Sequence, residues 1–196
     1  MRHPIPVAPT GSHFRVALAV CLTLCLLVPR ANALTWYVNV YGTGDAPTIW
    51  AAMDSATAGD TVLVGPGEYV VTYQSGSIGV GAGVTMKSEA GPLSTKVRFD
   101  WFWTYGVYLG HNSTLDGFWV ASGASRSVGM GVGSSLKRSI IVGLTDVSYG
   151  EQAHNNLFLG PVRFGTELVD FHHNVVYGFM DCVGLLTCPR SSYHLL

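Results

Sequence analysis

Charge is scarce in this sequence. Only 12% of its 196 residues are Asp, Glu, Lys or Arg, about half the usual share, while 48% are hydrophobic and 24 are glycine. A chain poor in Lys and Glu but rich in Gly, Val, Tyr and Trp reads as turns and strands rather than helices. Long apolar runs are also lacking. The uncharged stretch 16–28 has 13 residues, short of the roughly 20 that a membrane span needs. It follows the basic residues Arg2 and Arg15 and precedes Ala31-Asn32-Ala33, whose small residues suit signal peptidase. Residues 1–33 therefore read as a signal peptide, and the rest as a secreted protein, extracellular or periplasmic; an uncleaved anchor is the alternative. Cys21 and Cys25 follow Val20 and Leu24, which are not the small residues a lipidation site requires.

Cleavage would remove Arg2, Arg15 and Arg30 and leave eight basic against twelve acidic residues, a net charge of −4. That balance argues against nucleic acid or an anionic membrane as partner. Two cysteines would remain, Cys182 and Cys188, which either close a small disulfide loop in an oxidising compartment or stay free.

Helical periodicity is confined to one place. Pro47 and Thr48 open a segment in which Ile49, Trp50, Met53 and Ala56 recur at helical spacing, and Gly59 ends it. Before it, residues 36–41 read as a strand. After it come Thr61-Val62-Leu63-Val64, a Gly65-Pro66-Gly67 turn and Glu68-Tyr69-Val70. Beyond that, short apolar runs alternate with glycine and repeat. Val62, Val84, Val107, Val128 and Val147 are spaced by 22, 23, 21 and 19 residues; Phe99, Phe118, Ile140, Leu157 and Val175 by 19, 22, 17 and 18. Two interleaved strand series of period near twenty predict a coil of stacked rungs, because one rung cannot bury its apolar face alone. The Leu-x-x-Leu-x-Leu signature of a leucine-rich repeat is absent.

Aligning the second series places Phe118, Ile140, Leu157 and Val175 in one column and Val120, Val142, Leu159 and Tyr177 two positions on; both columns are expected inside. The preceding column, Gly117, Ser139, Asn156 and Asn174, is expected at a sharp left-handed turn, with Asn156 and Asn174 forming an amide ladder.

Residues 49–69, running from Ile49-Trp50-Ala51-Ala52-Met53 through Ala58-Gly59-Asp60-Thr61-Val62 to Gly65-Pro66-Gly67-Glu68-Tyr69, resemble the start of pectin-lyase-like right-handed parallel β-helix proteins. Gly83-Val84-Thr85-Met86-Lys87-Ser88-Glu89 is similar to that family's second rung, and the stretches ending at Leu157 and Val175 to its generic repeats. The resemblance implies an all-β parallel β-helix of about five or six rungs over residues 34–181, capped by the short helix, with residues 182–196 as an irregular tail. The family includes pectate lyases and polygalacturonases, but this chain has neither Arg-x-Pro-x-x-Arg nor paired aspartates followed by Gly-His-Gly. The expectation is accordingly a protein that binds a polysaccharide or cell-surface component without turnover; a polysaccharide lyase or hydrolase acting on acidic polysaccharide is the alternative.

Asp116, Lys137, Arg138 and His173 are the candidate catalytic residues, since uronate elimination needs a base and a cation beside the carboxylate. The plainer reading of this charged column is an exposed turn with Asp116 and Arg138 paired. Trp101, Trp103 and Tyr105 are candidate sugar-stacking residues, with burial in the core as the alternative. His154, His172, His173, Asp170 and Asp181 lack metal-binding spacing, and His172 and His173 should point to opposite faces of a strand, so no metal is expected. Asp100, Asp116 and Asp146 are too scattered to assign Ca²⁺, and no cofactor is expected. Asn112-Ser113-Thr114 is a glycosylation sequon that acts only in a eukaryotic secretory route.

Overall fold

In the computed structural model, residues 32–72, 75–100, 105–123, 126–147, 151–165, 169–182 and 193–195 are described. The signal-peptide features of residues 1–31 lie outside these, as do Trp101, Trp103 and Cys188.

The short apolar runs are strands of a parallel β-helix of about five turns, with one short helix near its start. Each turn visits three sheets. Sheet A contains β1 (Thr35–Val38), β2 (Thr61–Val64), β5 (Thr85–Ser88), β8 (Thr114–Asp116), β11 (Ser135–Lys137), β14 (Gln152–His154) and β17 (Asp170–His172). Sheet B contains β3 (Gly67–Val71), β6 (Thr95–Phe99), β9 (Trp119–Ser122), β12 (Ile140–Val142), β15 (Leu157–Leu159), β18 (Asn174–Val176) and β20 (Tyr193–Leu195). Sheet C contains β4 (Ile78–Val80), β7 (Val107–Leu109), β10 (Val128–Met130), β13 (Thr145–Val147), β16 (Val162–Phe164) and β19 (Met180–Cys182). Strands of this length bury one face each, and stacking along the axis makes the core continuous. Within the tail expected to be irregular, Tyr193–Leu195 pairs with β18.

Helix α1 (Ile49–Ser55) buries Ile49, Ala52 and Met53. The Thr48 hydroxyl accepts the Ala51 amide at 3.1 Å and caps its start. The helix stops four residues before Gly59. There Asp60 accepts the Thr57 amide at 2.8 Å and, through its other oxygen, the Leu34 amide at 2.8 Å, diverting the chain into β2. These backbone hydrogen bonds hold the Asp60 carboxyl below its ordinary pKa.

The interior columns differ from the sequence alignment. Register pairs Ile140 with Trp119 and Leu157, and Leu157 with Val175; this column faces outward. Inside stand Val120, Ile141, Phe158 and Val176, each fully buried. Val142, Leu159 and Tyr177 likewise face out, the last two exposed. The alignment slipped by one residue because Phe118, itself buried, occupies the corner position that later rungs give to Ser139, Asn156 and Asn174. With apolar residues on both faces of sheet B, alternation alone could not tell inside from outside. The valine series also joins two sheets: Val62 belongs to sheet A, Val84 sits just before β5, and Val107, Val128 and Val147 belong to sheet C.

The corner between sheets A and B combines two columns. The left-handed residues are Gly117 (φ 82°), Arg138 (46°), Asn155 (59°) and His173 (54°). Ser139, Asn156 and Asn174 follow them and point inward. Asn174 Oδ1 accepts the Asn156 amide at 2.9 Å and Asn156 Nδ2 at 3.1 Å; Asn156 Oδ1 accepts the Ser139 amide at 2.9 Å; Ser139 Oγ accepts the Phe118 amide at 3.2 Å. The ladder thus satisfies the corner amides, which would otherwise be buried without acceptors.

Candidate functional site

Outward positions on sheet A are set by strand alternation and by register. Lys87 pairs with Asp116, Asp116 with Lys137, Lys137 with His154, and His154 with His172, so one column carries five titratable side chains. Arg138, Asn155 and His173 lie beside the last three at the left-handed corner. A second outward column, Thr85, Thr114, Ser135, Gln152 and Asp170, borders the row on its other side.

Arg138 Nε donates to Asp116 Oδ1 at 2.9 Å and Nη2 pairs with Oδ2, so both carboxylate oxygens are engaged. Lys137 is the in-register neighbour of Asp116. The imidazoles of His154 and His172 stack with centroids 5.1 Å apart and planes within 10°. The ring of His173 meets His172 edge-on at 5.0 Å. The left-handed turn at His173 brings the two adjacent histidines together, correcting the opposite-face expectation that a continuous strand would give. His172 Nδ1 lies 2.7 Å from Asp170 Oδ1, and His154 Nδ1 lies 3.2 Å from Asn155 Nδ2. Burial pushes the His154 pKa below its ordinary value, and the charges of Lys137 and His172 push it further; Asp170 opposes this and Arg138 adds to it.

Of the four candidate catalytic residues, Asp116, Lys137 and Arg138 occupy neighbouring rungs. His173 lies three rungs beyond Asp116, roughly 14 Å along the axis at about 4.8 Å per rung. The row runs the length of several sugar residues rather than converging on one atom.

Of the stacking candidates, Tyr105 is described. It lies over sheet C: a Cβ on Gly129 would stand 2.2 Å from its ring, so the absent side chain makes room for it. The Arg126 guanidinium lies 5.1 Å from the Tyr105 ring centroid, and Tyr108 packs against Tyr105 edge-on at 5.6 Å.

Sheet C also carries charges that sequence reasoning did not group. Gly129, Asp146, Arg163 and Asp181 are successive outward residues in register. Arg126 pairs with Asp146, Arg163 Nη1 is 4.0 Å from Asp146 Oδ1, and Arg163 Nε is 3.3 Å from Asp181 Oδ2. The signal was present as apolar-x-apolar triplets at 107–109, 128–130, 162–164 and 180–182, with Thr145 in place of the first apolar residue in 145–147. Alternating signs make this row a self-contained ion-pair ladder. The three aspartates considered for Ca²⁺ each face an arginine, Asp100 with Arg98, Asp116 with Arg138 and Asp146 with Arg126. Among the described residues, no group of three or more His, Cys, Asp or Glu side chains is placed to hold a metal ion. Cys182 is disulfide-bonded. Asn112 of the sequon is exposed in a left-handed turn, whereas Ser113 is buried.

The chain matches no family model, no curated protein and no solved structure.

Proposed function

We propose that the protein is an exported β-helix of the pectin-lyase-like kind that binds an acidic polysaccharide, free or on a cell surface, along the outer edge of sheet A without cleaving it. The observation that carries this reading is the row Lys137, His154 and His172, one rung apart, flanked by Arg138 and His173. Its step of about 4.8 Å is close to the length of one pyranose unit, so successive rungs can meet successive anionic sugars. The Thr114 hydroxyl and the Gln152 amide supply hydrogen-bond partners alongside. With the histidines neutral, Lys87, Lys137 and Arg138 outnumber Asp116 and Asp170 along the row, a small local cationic excess on a mildly acidic molecule.

A lyase or hydrolase is the second reading, favoured by Lys137 and Arg138 standing beside Asp116. Arg138 already occupies both oxygens of that carboxylate, and His173 is rungs away, so no unengaged base faces the cations within this group.

The test is to titrate purified protein with polygalacturonate while following unsaturated and reducing ends. The expected result is salt-sensitive binding with no new ends. Reversing two charges in Lys137→Glu/Arg138→Glu should cost about 2 kcal/mol after screening, roughly thirtyfold in affinity. New ends of either kind, or affinity indifferent to the double variant, would overturn the proposal.

A further inference from the structure

Two clefts open where sheet B begins, and Glu68 lines both. One, of about 220 Å³, lies between β3, the first strand of the sheet, and the turn into α1, where Asn39, Thr48 and Trp50 wall it. The other, of about 210 Å³, lies over β6 and β9, where the small Ala121 leaves space beside Trp119 and Arg98. Register places Glu68, Lys96 and Trp119 in one outward column, so Glu68 and Trp119 stand two rungs apart, roughly 10 Å along the axis. Trp50 closes the other side of Glu68, its indole fixed by a hydrogen bond of 3.3 Å from Nε1 to the Ser77 carbonyl. The clefts therefore follow one another along the axis, with an indole at each end and a carboxylate between.

The polar groups of this trough are only partly engaged. Arg98 Nε donates to Glu68 Oε1 at 2.8 Å, and Nη1 pairs with Asp100. Among the described residues, Glu68 Oε2 and Arg98 Nη2 make no hydrogen bond. Trp119 Nε1 is buried and has no partner among them either, although a buried indole N–H ordinarily finds an acceptor. Charge is balanced: Lys96 and Arg98 stand against Glu68 and Asp100.

We propose that this trough binds a straight, uncharged, β-linked glycan, as a second carbohydrate site that does not depend on the row on sheet A. Each cleft has room for one pyranose ring. A pyranose with equatorial hydroxyls offers an apolar C–H face, which packs on indole, and an edge of vicinal hydroxyls. At that edge Glu68 Oε2 accepts a hydroxyl proton while Arg98 Nη2 donates to the neighbouring oxygen, and Trp119 Nε1 donates to a further hydroxyl. Lys96 lies over one face of the Trp119 ring, Nζ 4.3 Å from its centroid, so the sugar packs against the part of the indole that lines the cleft with Ala121. The balanced charge disfavours a uronate there, because a carboxylate reaching Lys96 and Arg98 also meets Glu68 and Asp100. An α-1,6-linked chain coils through an extra bond per linkage and does not lie along the trough.

Isothermal titration calorimetry of the purified full chain with cellohexaose tests the proposal. Saturable binding is expected, unchanged between low salt and about 0.15 M ionic strength, in contrast to the salt-sensitive binding expected on sheet A. Isomaltohexaose, the α-1,6-linked counterpart, should not bind. Ala121→Leu fills its cleft without removing a polar group, so it should weaken binding roughly tenfold or more. At that outward position it should leave the urea midpoint of unfolding unchanged, which guards against misfolding. Trp119→Phe keeps a ring but removes Nε1, and Glu68→Gln keeps the size but removes the carboxylate; each should weaken binding roughly fivefold. No binding of cellohexaose by the folded protein would overturn the proposal. So would binding that Ala121→Leu leaves intact, that isomaltohexaose equals, or that salt weakens.

Discussion

Replacing Asn156 with alanine removes three hydrogen bonds from the corner between sheets A and B. Its Oδ1 accepts the Ser139 amide at 2.9 Å, and its Nδ2 donates to the Leu136 carbonyl at 2.9 Å and to Asn174 Oδ1 at 3.1 Å. Ser139 is 1% exposed and Asn156 3%, so water does not replace the lost acceptor. A buried donor left without a partner costs about 1–3 kcal/mol, and each lost net bond about 1 kcal/mol, giving roughly 3–4 kcal/mol for Asn156→Ala. Against a typical domain stability of about 5–15 kcal/mol, that is a large fraction. Asn156→Ser should fall between, because Ser139 at the equivalent position accepts the Phe118 amide and donates to the Lys137 carbonyl at 2.7 Å. Asn156→Ala combined with Asn174→Ala should cost less than the sum of the two, since Asn174 Oδ1 accepts from Asn156. Urea unfolding followed by the β-sheet circular dichroism signal measures all four. A loss below about 1 kcal/mol for Asn156→Ala, or full additivity in the pair, would refute the view that the ladder holds the rungs in register.

Further expectations follow from packing and titration. A methyl on Gly131 would stand 2.7 Å from the Leu109 carbonyl oxygen of the preceding rung, so Gly131→Ala should cost about 2 kcal/mol by overpacking, read as a lower urea midpoint. Asp60 has a lowered pKa, so its contribution is complete above the ordinary carboxyl value of 3.8 and is lost as pH falls through the folded value; Asp60→Asn should flatten the acid limb of melting temperature against pH. His154 also has a lowered pKa, so its unfolded form binds the proton more readily. Stability is unaffected well above 6.5, falls as pH drops through that value, and levels off once the folded ring titrates; His154→Gln should remove that step.

How much could be read from the sequence depended on contrast between faces. The β-helix and its short helix were legible because glycine-bounded apolar runs recur at a period near twenty, and because Thr48 and Ile49-Trp50-Met53 mark a capped helix. The Asn156–Asn174 contact was legible because both residues precede an apolar pair at matching positions. The faces of sheet B were not, since Ile140-Ile141-Val142 and Leu157-Phe158-Leu159 are apolar at every position and Phe118 replaces the polar corner residue in the earlier rung. The left-handed position was legible at Gly117 but missed by one residue in the later rungs, because Arg138 and His173 adopt a backbone that their side chains do not advertise. At the candidate site, Lys137 and Arg138 were visible as neighbours of Asp116, but the stacking of His154 on His172 needed the correct register.

The row on sheet A is tested most directly by titrating the purified protein and its Lys137→Glu/Arg138→Glu variant with dextran sulfate and with uncharged dextran, at low salt and at about 0.15 M ionic strength. The account predicts binding of dextran sulfate alone, weakened by the added salt and roughly thirtyfold weaker in the variant. Equal affinity for both polymers, or dextran sulfate binding that the variant leaves unchanged, would contradict it.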